Sequence, residues 1–224
     1  MKDAIKKVKE DEVETKKDNI IIPPEFKLIH GDFKKEWKKL EKDSIDFIIT
    51  DPPYPKEYLP LYEELAKCAS VVLKPGGSLL VMVGQSYLPE ILEMMNKHIS
   101  YHWILSYQTP GGQSTQLWDR KVNTFWKPIL WFVKDEFKGD WIGDVIKSNT
   151  NDNDKRFHDW GQSESGMLDL MKRFVKPDDI VLDPFMGGCT TGIICTTLKS
   201  QFIGIEIDEK TFDSAKVRLG EYHD

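Results

Sequence analysis

Two stretches of the chain carry residues able to do chemistry, and they share a design. In "IDFIITDPPY", Ile45 to Tyr54, an apolar run ends in an acid, two prolines and a tyrosine. The prolines fix φ and lack N–H groups, so the backbone is stiff and the Pro52 carbonyl can face a ligand with no donor beside it. Asp51 adds a second acceptor, and Tyr54 adds an aromatic face. Two acceptors converging on an –NH₂ group pull its nitrogen out of conjugation with a ring. The lone pair is then free to attack an electrophile while stacking holds the ring in place. Taken alone, Asp-Pro-Pro also reads as a plain turn.

The second stretch is "IVLDPFMGGCTTG", Ile180 to Gly192. Here an apolar run ends in Asp183, Pro184 and Phe185, followed by Gly187, Gly188 and a helix opening with Thr190 and Thr191. The glycines let the backbone approach a ligand, and a helix N-terminus presents unpaired amides suited to a carboxylate or phosphate. Downstream, "FIGIEID", Phe202 to Asp208, places Glu206 at the end of the next strand. That is close to the twenty-residue spacing at which an acid accepts hydrogen bonds from ribose hydroxyls. The arrangement predicts a nucleoside-containing cofactor; its plainer reading is a tight strand-to-helix turn with a solvated Glu206.

These residues need elements to position them. Strand-like runs appear at Ile45 to Ile49, Ser78 to Val83, Trp103 to Tyr107, Pro128 to Val133, Ile180 to Leu182 and Phe202 to Glu206. Between them, Leu61, Leu65, Ala69 and Val72 recur at helical spacing, as do Leu88, Ile91, Leu92 and Met95, and later Met167, Leu170, Met171 and Phe174. Helices alternating with near-continuous apolar strands imply an α/β doubly wound fold. In such sheets ligands bind outside the carboxyl ends of the strands, near the reversal of strand order, so both corners should face one crevice. Two segments break the pattern. Gln108 to Asn123 is glycine-rich and polar and is read as a functional or mobile loop. Lys138 to Gln162 is polar and turn-rich and is read as a linker between two halves of the sheet.

At 224 residues the chain is long enough for one sizeable core, which favours a single domain. Residues 1–18 alternate Lys with Glu and Asp without an apolar stretch, which predicts a flexible arm rather than a secretion signal. The longest apolar run, Ile129 to Val133, is far too short to span a bilayer. Cys68, Cys189 and Cys195 have neither the even count nor the spacing of a disulfide framework or zinc site, which fits a reducing, intracellular, cytoplasmic setting. The five histidines are scattered and predict no metal. A formal net charge of −6 argues against a surface coated with nucleic acid, leaving local patches such as Arg120, Lys121 and Lys127.

Together, "DPPY" at Asp51 to Tyr54, the later "VLDPFMGGCTTG" and "FIGIEIDEKTFDSAKVRL" resemble the S-adenosylmethionine-dependent DNA amino-methyltransferases. The order, tetrapeptide first and glycine loop last, is similar to their permuted beta class. The likeness runs from Leu28 to about Tyr222. It implies a Rossmann-like, doubly wound, mostly parallel seven-stranded sheet with circularly permuted motif order. It also implies methyl transfer from S-adenosylmethionine to the amine of a flipped base, since a base inside a duplex cannot be reached. In that scheme Asp51 and Pro52 accept the amine hydrogens, Pro53 stiffens the corner and Tyr54 stacks on the base. The cofactor lies across Asp183, Pro184, Phe185, Gly187, Gly188, Thr190 and Thr191, with Glu206 and Asp208 on the ribose side. Asp32, in "LIHGDF", lies near its adenine, while Asp51 and Ser163 complete the set.

The sequence departs from the family pattern in three places. Gln162 and Ser163 stand where the family usually shows a Lys-Pro pair, and Ser163 is suited to cap the helix that follows. Cys189 replaces the last glycine of the usual Gly-Ser-Gly and reads as a small packed residue. Only about 25 residues, 138–162, are available as a target-recognition insertion. Trp118, Arg120 and Lys121, a second subunit in a homodimer or an accessory subunit are the remaining sources of contact with DNA. Adenine N6 is the favoured target because an acid heads the tetrapeptide. Cytosine N4, an RNA base, a glutamine side chain and a non-catalytic cofactor-binding subunit are the alternatives.

Overall fold

The computed structural model describes residues 20–110, 115–149 and 162–222, so the arm read at 1–18, residues 111–114 of the loop read at 108–123 and residues 150–161 of the 138–162 segment lie outside the described residues. The strands are β1 (Phe26–His30), β2 (Ile45–Thr50), β3 (Leu73–Met82), β4 (Ser100–Gln108), β5 (Thr115–Leu117), β6 (Val122–Thr124), β7 (Trp126–Val133), β8 (Val145–Lys147), β9 (Ile180–Asp183) and β10 (Gln201–Glu206). The helices are α1 (Phe33–Glu36), α2 (Leu59–Val72), α3 (Leu88–Met95), α4 (Glu164–Met171), α5 (Thr190–Leu198) and α6 (Glu209–Glu221). Eight strands form one sheet in the order β1-β10-β9-β2-β3-β7-β4-β8, and β5 pairs with β6 in a separate hairpin.

The apolar residues of each strand alternate between two faces of this sheet, and the helices cover both. Leu79 and Val81 of β3, with Leu130 and Phe132 of β7, pack against Leu65 and Ala69 of α2 and Ile91 and Met95 of α3. Leu80 and Met82, with Ile129 and Trp131, face the other way, toward Met167 and Leu170 of α4, Ile193 of α5 and Leu219 of α6. Burying both faces is what allows strands such as β3 and β7 to read as unbroken apolar runs. The doubly wound α/β expectation holds.

Two segments differ from their sequence reading. The 138–162 stretch supplies β8, an eighth strand beside the seven expected, which runs parallel to β4 through Ser106↔Val145 and Tyr107↔Ile146. Three residues are too few to show a period, and the single fully buried Ile146 anchors them. The stretch read as a loop at Gln108 to Asn123 contains strand residues paired Thr115↔Thr124, Gln116↔Asn123 and Leu117↔Val122. A turn at Trp118–Arg120, with Lys121 in the left-handed region at φ 54°, closes this hairpin.

The order of strands identifies the edge at which such sheets bind ligands. β2 and β9 are neighbours, although their residues are well over a hundred positions apart: Phe47 pairs with Val181 and Ile48 with Leu182. From β2 the chain continues outward to β3, and from β9 it continues the opposite way to β10. The strand order therefore reverses between β2 and β9, the position at which a crevice opens beyond the carboxyl ends. β7 runs antiparallel to both its neighbours, β3 and β4, so its first residues rather than its last reach that same edge.

Candidate active site

Thr50 ends β2 and Asp183 ends β9, and the two corners beyond them are joined directly. The Thr50 hydroxyl donates to Asp183 at 2.7 Å, and the Thr191 hydroxyl donates to its other oxygen at 2.7 Å. The Phe185 amide donates at 3.2 Å. Burial pushes the Asp183 carboxyl up to about 6, against the pull of these three hydrogen bonds, and the charge of Asp51 adds to the rise. Asp183, expected at the cofactor, is buried, and its side chain fastens one corner to the other. The Asp46 carboxylate makes a matching link at the far end of the two strands, accepting from the Ile180 amide at 2.9 Å.

The Asp51 carboxylate lies at the first corner and is largely enclosed. Its Oδ1 accepts from the Tyr54 hydroxyl. Its Oδ2 accepts from the Gln162 side-chain amide, with Lys127 Nζ 3.9 Å away. Burial raises the Asp51 pKa above the ordinary carboxylate value, and Lys127, Tyr54 and Gln162 each work against that rise. Burial and the neighbouring Asp51 raise the Tyr54 phenol well above its usual range. The Tyr54 ring lies against the backbone of Gly84, where an added Cβ would come within 3.6 Å of it, and Lys127 Nζ stands 5.4 Å from the ring centroid.

The second corner turns through Gly187, at φ 47°, where an added Cβ would project into open space. Glu206, at the end of β10, is held by two backbone amides: Gly187 donates to one oxygen at 3.0 Å and Asp208 to the other at 2.9 Å. A carboxylate so oriented keeps further lone pairs for hydroxyl donors. Thr190 and Thr191 open α5 behind a left-handed Cys189 at φ 62°. Cys189 is fully buried, so it is packed as expected and also carries a backbone conformation that glycine adopts more readily. Phe185 packs against Phe33 with ring centroids 5.0 Å apart.

Several of the expected cofactor residues cap helices in this fold. Ser163 is buried, and its hydroxyl accepts from the Gly166 amide to cap α4. Asp208 caps α6 through the Thr211 amide and hydroxyl. Asp32, just past the end of β1, caps α1 by accepting from the Lys34 amide at 3.0 Å. Asp32 and Asp208 do border the edge that bears Glu206, since His30 of β1 pairs with Glu206.

The structure adds three residues that the sequence reading did not place at the site. Gln162 and Lys127 reach Asp51. Arg218 of α6 is buried to 1% exposure and grips the glycine turn from behind. It donates to the Gly188 carbonyl at 2.5 Å, to the Thr190 hydroxyl at 3.1 Å and to Glu164 at 2.7 Å. A lone Arg in a helical pattern gives no hint of that role. The substrate candidates lie together at the hairpin tip, where Trp118 is 80% exposed. Arg120 donates to the Ser86 carbonyl at 3.2 Å. Gln85 fastens the base of the hairpin through Thr124 and the Trp126 carbonyl. The hairpin thus stands over the loop that follows β3, on the edge that carries Asp51.

The chain is similar to known proteins over most of its length. It is 28% identical to the type II methyltransferase M.HpaI of Haemophilus parainfluenzae, covering 86% of this chain and 74% of that protein. It is 29% identical to the DNA adenine methyltransferase YhdJ of Escherichia coli K12, covering 86% and 82%. In fold it is similar to the crystal structure of the M1.HpyAVI–SAM complex, with a TM-score of 0.72 and 24% identity over 87% of this chain and 98% of the other. The N6_N4_Mtase family model, described as DNA methylase, matches residues 45–217, a span that contains both corners, and the chain belongs to that family.

Proposed function

We infer that the protein is an S-adenosylmethionine-dependent DNA amino-methyltransferase. The observation that carries the reading is the side-by-side placement of the Asp51–Tyr54 corner and the glycine corner at the reversal of strand order. The open space at Gly187 and the oriented Glu206 carboxylate suit the backbone approach and hydroxyl contacts of a nucleoside cofactor. When bound, S-adenosylmethionine supplies an electrophilic methyl group: the substrate nitrogen bonds to its carbon, the carbon–sulfur pair returns to sulfur, and the nitrogen gives up one proton.

The chain's own residues prepare that nitrogen. The Asp51 carboxylate and the Pro52 carbonyl accept its N–H bonds and localise its lone pair, and the departing proton passes to Asp51 and on to water. Pro53 keeps the corner rigid, and Tyr54 supplies the stacking face for a base taken out of its helix. Glu206 holds the ribose, with Gly187 and Gly188 in close approach. Pro184 and Phe185 wall the cofactor, and Thr190 and Thr191 set the helix opening beneath it. Asp32 and Asp208 flank its adenosine end, and Asp183 and Ser163 contribute by fixing the two corners and the start of α4. Trp118, Arg120 and Lys121 on the exposed hairpin contact DNA beside the flipped base. Residues 138–162 are a minimal recognition insertion.

Adenine N6 is the favoured target, and the relative named a DNA adenine methyltransferase agrees with it. Labelled S-adenosylmethionine incubated in turn with duplex DNA, single-stranded DNA and RNA, followed by nucleoside analysis, tests polymer and base together. Label in N6-methyladenine from DNA is expected, and N4-methylcytosine or labelled RNA would replace the assignment. Asp51→Ala should lower transfer about 100-fold while leaving the affinity for S-adenosylmethionine intact. Transfer at the parent rate would remove Asp51 from the chemistry.

A further inference from the structure

The two oxygens of Asp51 have different partners, and the difference divides their work. Oδ2 is approached from outside the tetrapeptide by two side chains on separate elements: Gln162, just before the cap of α4, donates a hydrogen bond to it, and Lys127, the second residue of β7, forms an ion pair with it at 3.9 Å. Among the described residues, Oδ1 is held by the Tyr54 hydroxyl, which belongs to the same four-residue corner. A carboxylate gripped at one oxygen cannot rotate freely, so the direction in which its other oxygen points is set before any substrate arrives.

We propose that Gln162 and Lys127 are positioning residues that clamp Oδ2 of Asp51, making Oδ1 the oxygen that receives the substrate amine once the Tyr54 hydroxyl has given it up. The inference rests on the methyltransfer reading and deepens it by naming the oxygen and the residues that aim it. Lys127 has a further effect through charge. The groups facing Asp51 are Lys127 from β7, Tyr54 from its own corner, Tyr62 from α2 and Asp183 from the end of β9. Among the described residues, Lys127 is the cation of this group. Burial raises the Asp51 pKa and Lys127 opposes it, so the lysine favours the ionised form of an enclosed acceptor.

Two measurements test this, one of them independent of turnover. In cofactor-free protein labelled with ¹³C-aspartate, the Asp51 carboxyl signal is assigned by its loss in Asp51→Asn and followed across pH. Lys127→Met should raise its titration midpoint by about one unit, and Lys127→Arg should restore it. In methyl transfer, Lys127→Met and Gln162→Leu should each lower kcat about tenfold with little change in KM for S-adenosylmethionine. The acid limb of the Lys127→Met profile should move to higher pH. If Lys127→Met does not fold, Lys127→Gln carries the same test. An unmoved midpoint with unmoved kcat in both positions would overturn the clamp while leaving Asp51 as the acceptor. A parent protein without any transfer would instead end the methyltransferase reading, and the clamp with it.

Discussion

Asp183 shows how a single carboxyl can tie two parts of a site together through hydrogen bonds inside the protein. It is buried, with a pKa raised to about 6 from an unfolded value near 4. Between those values the folded chain holds a proton that the unfolded chain has released. Stability should therefore fall as pH rises from about 4 to about 6 and level off above, a change of about 3 kcal/mol from this group. Asp183→Asn should abolish that component. Urea midpoints of parent and variant at pH 4.5 and 7.5 measure it, and the parent should lose stability relative to the variant over the interval. Equal pH dependence in the two would mean that the carboxyl is not desolvated. The same residue marks a boundary of sequence reading. That Asp183 ends a strand at the reactive edge was legible, but the burial that turns its side chain inward comes from Thr50, which the chain brings from far upstream.

At the scale of elements, the glycine corner depends on the close passage of α5 over β10. An added Cβ at Gly192 would come within 2.5 Å of the Cys189 sulfur and 2.9 Å of the Phe202 ring. Gly192→Ala should cost about 2 kcal/mol, read as a lowered urea midpoint, and should weaken S-adenosylmethionine binding through the displaced turn. Strands and helices with strong periods, such as β3, β7, α2 and α3, were legible because each buries a whole face. β8 and the β5–β6 hairpin were not, because each is only three residues long on a side and is held by a few contacts. Lys127 was read as part of a basic patch and not as a neighbour of Asp51, for a topological reason. A search for site residues looks beyond the ends of parallel strands, but β7 is reversed, so the residues that open it arrive at the edge. Gln162 was noticed only as a departure from a family pattern; its reach to Asp51 follows from where α4 begins.

For the whole molecule, the sheet order delivers every proposed participant to one rim, while a net charge of −6 gives it little general attraction for a polyanion. Affinity for DNA must then come from a small exposed group of side chains, and the hairpin offers one. Trp118→Ala and Arg120→Ala should raise KM for DNA roughly tenfold without altering S-adenosylmethionine affinity. Arg120→Ala should also reduce the slope of log affinity against log salt by about 1 if it meets a phosphate. Unchanged KM and slope in both would place the DNA path elsewhere. The pairing of β2 with β9 has a last consequence. Across it the two halves meet through two residue pairs, the Thr50 hydroxyl on the Asp183 carboxylate and the Ile180 amide on Asp46, all non-covalent. The ribosome's schedule is therefore irrelevant to the reaction: a gene spliced to make the downstream half first would ask nothing new of this joint.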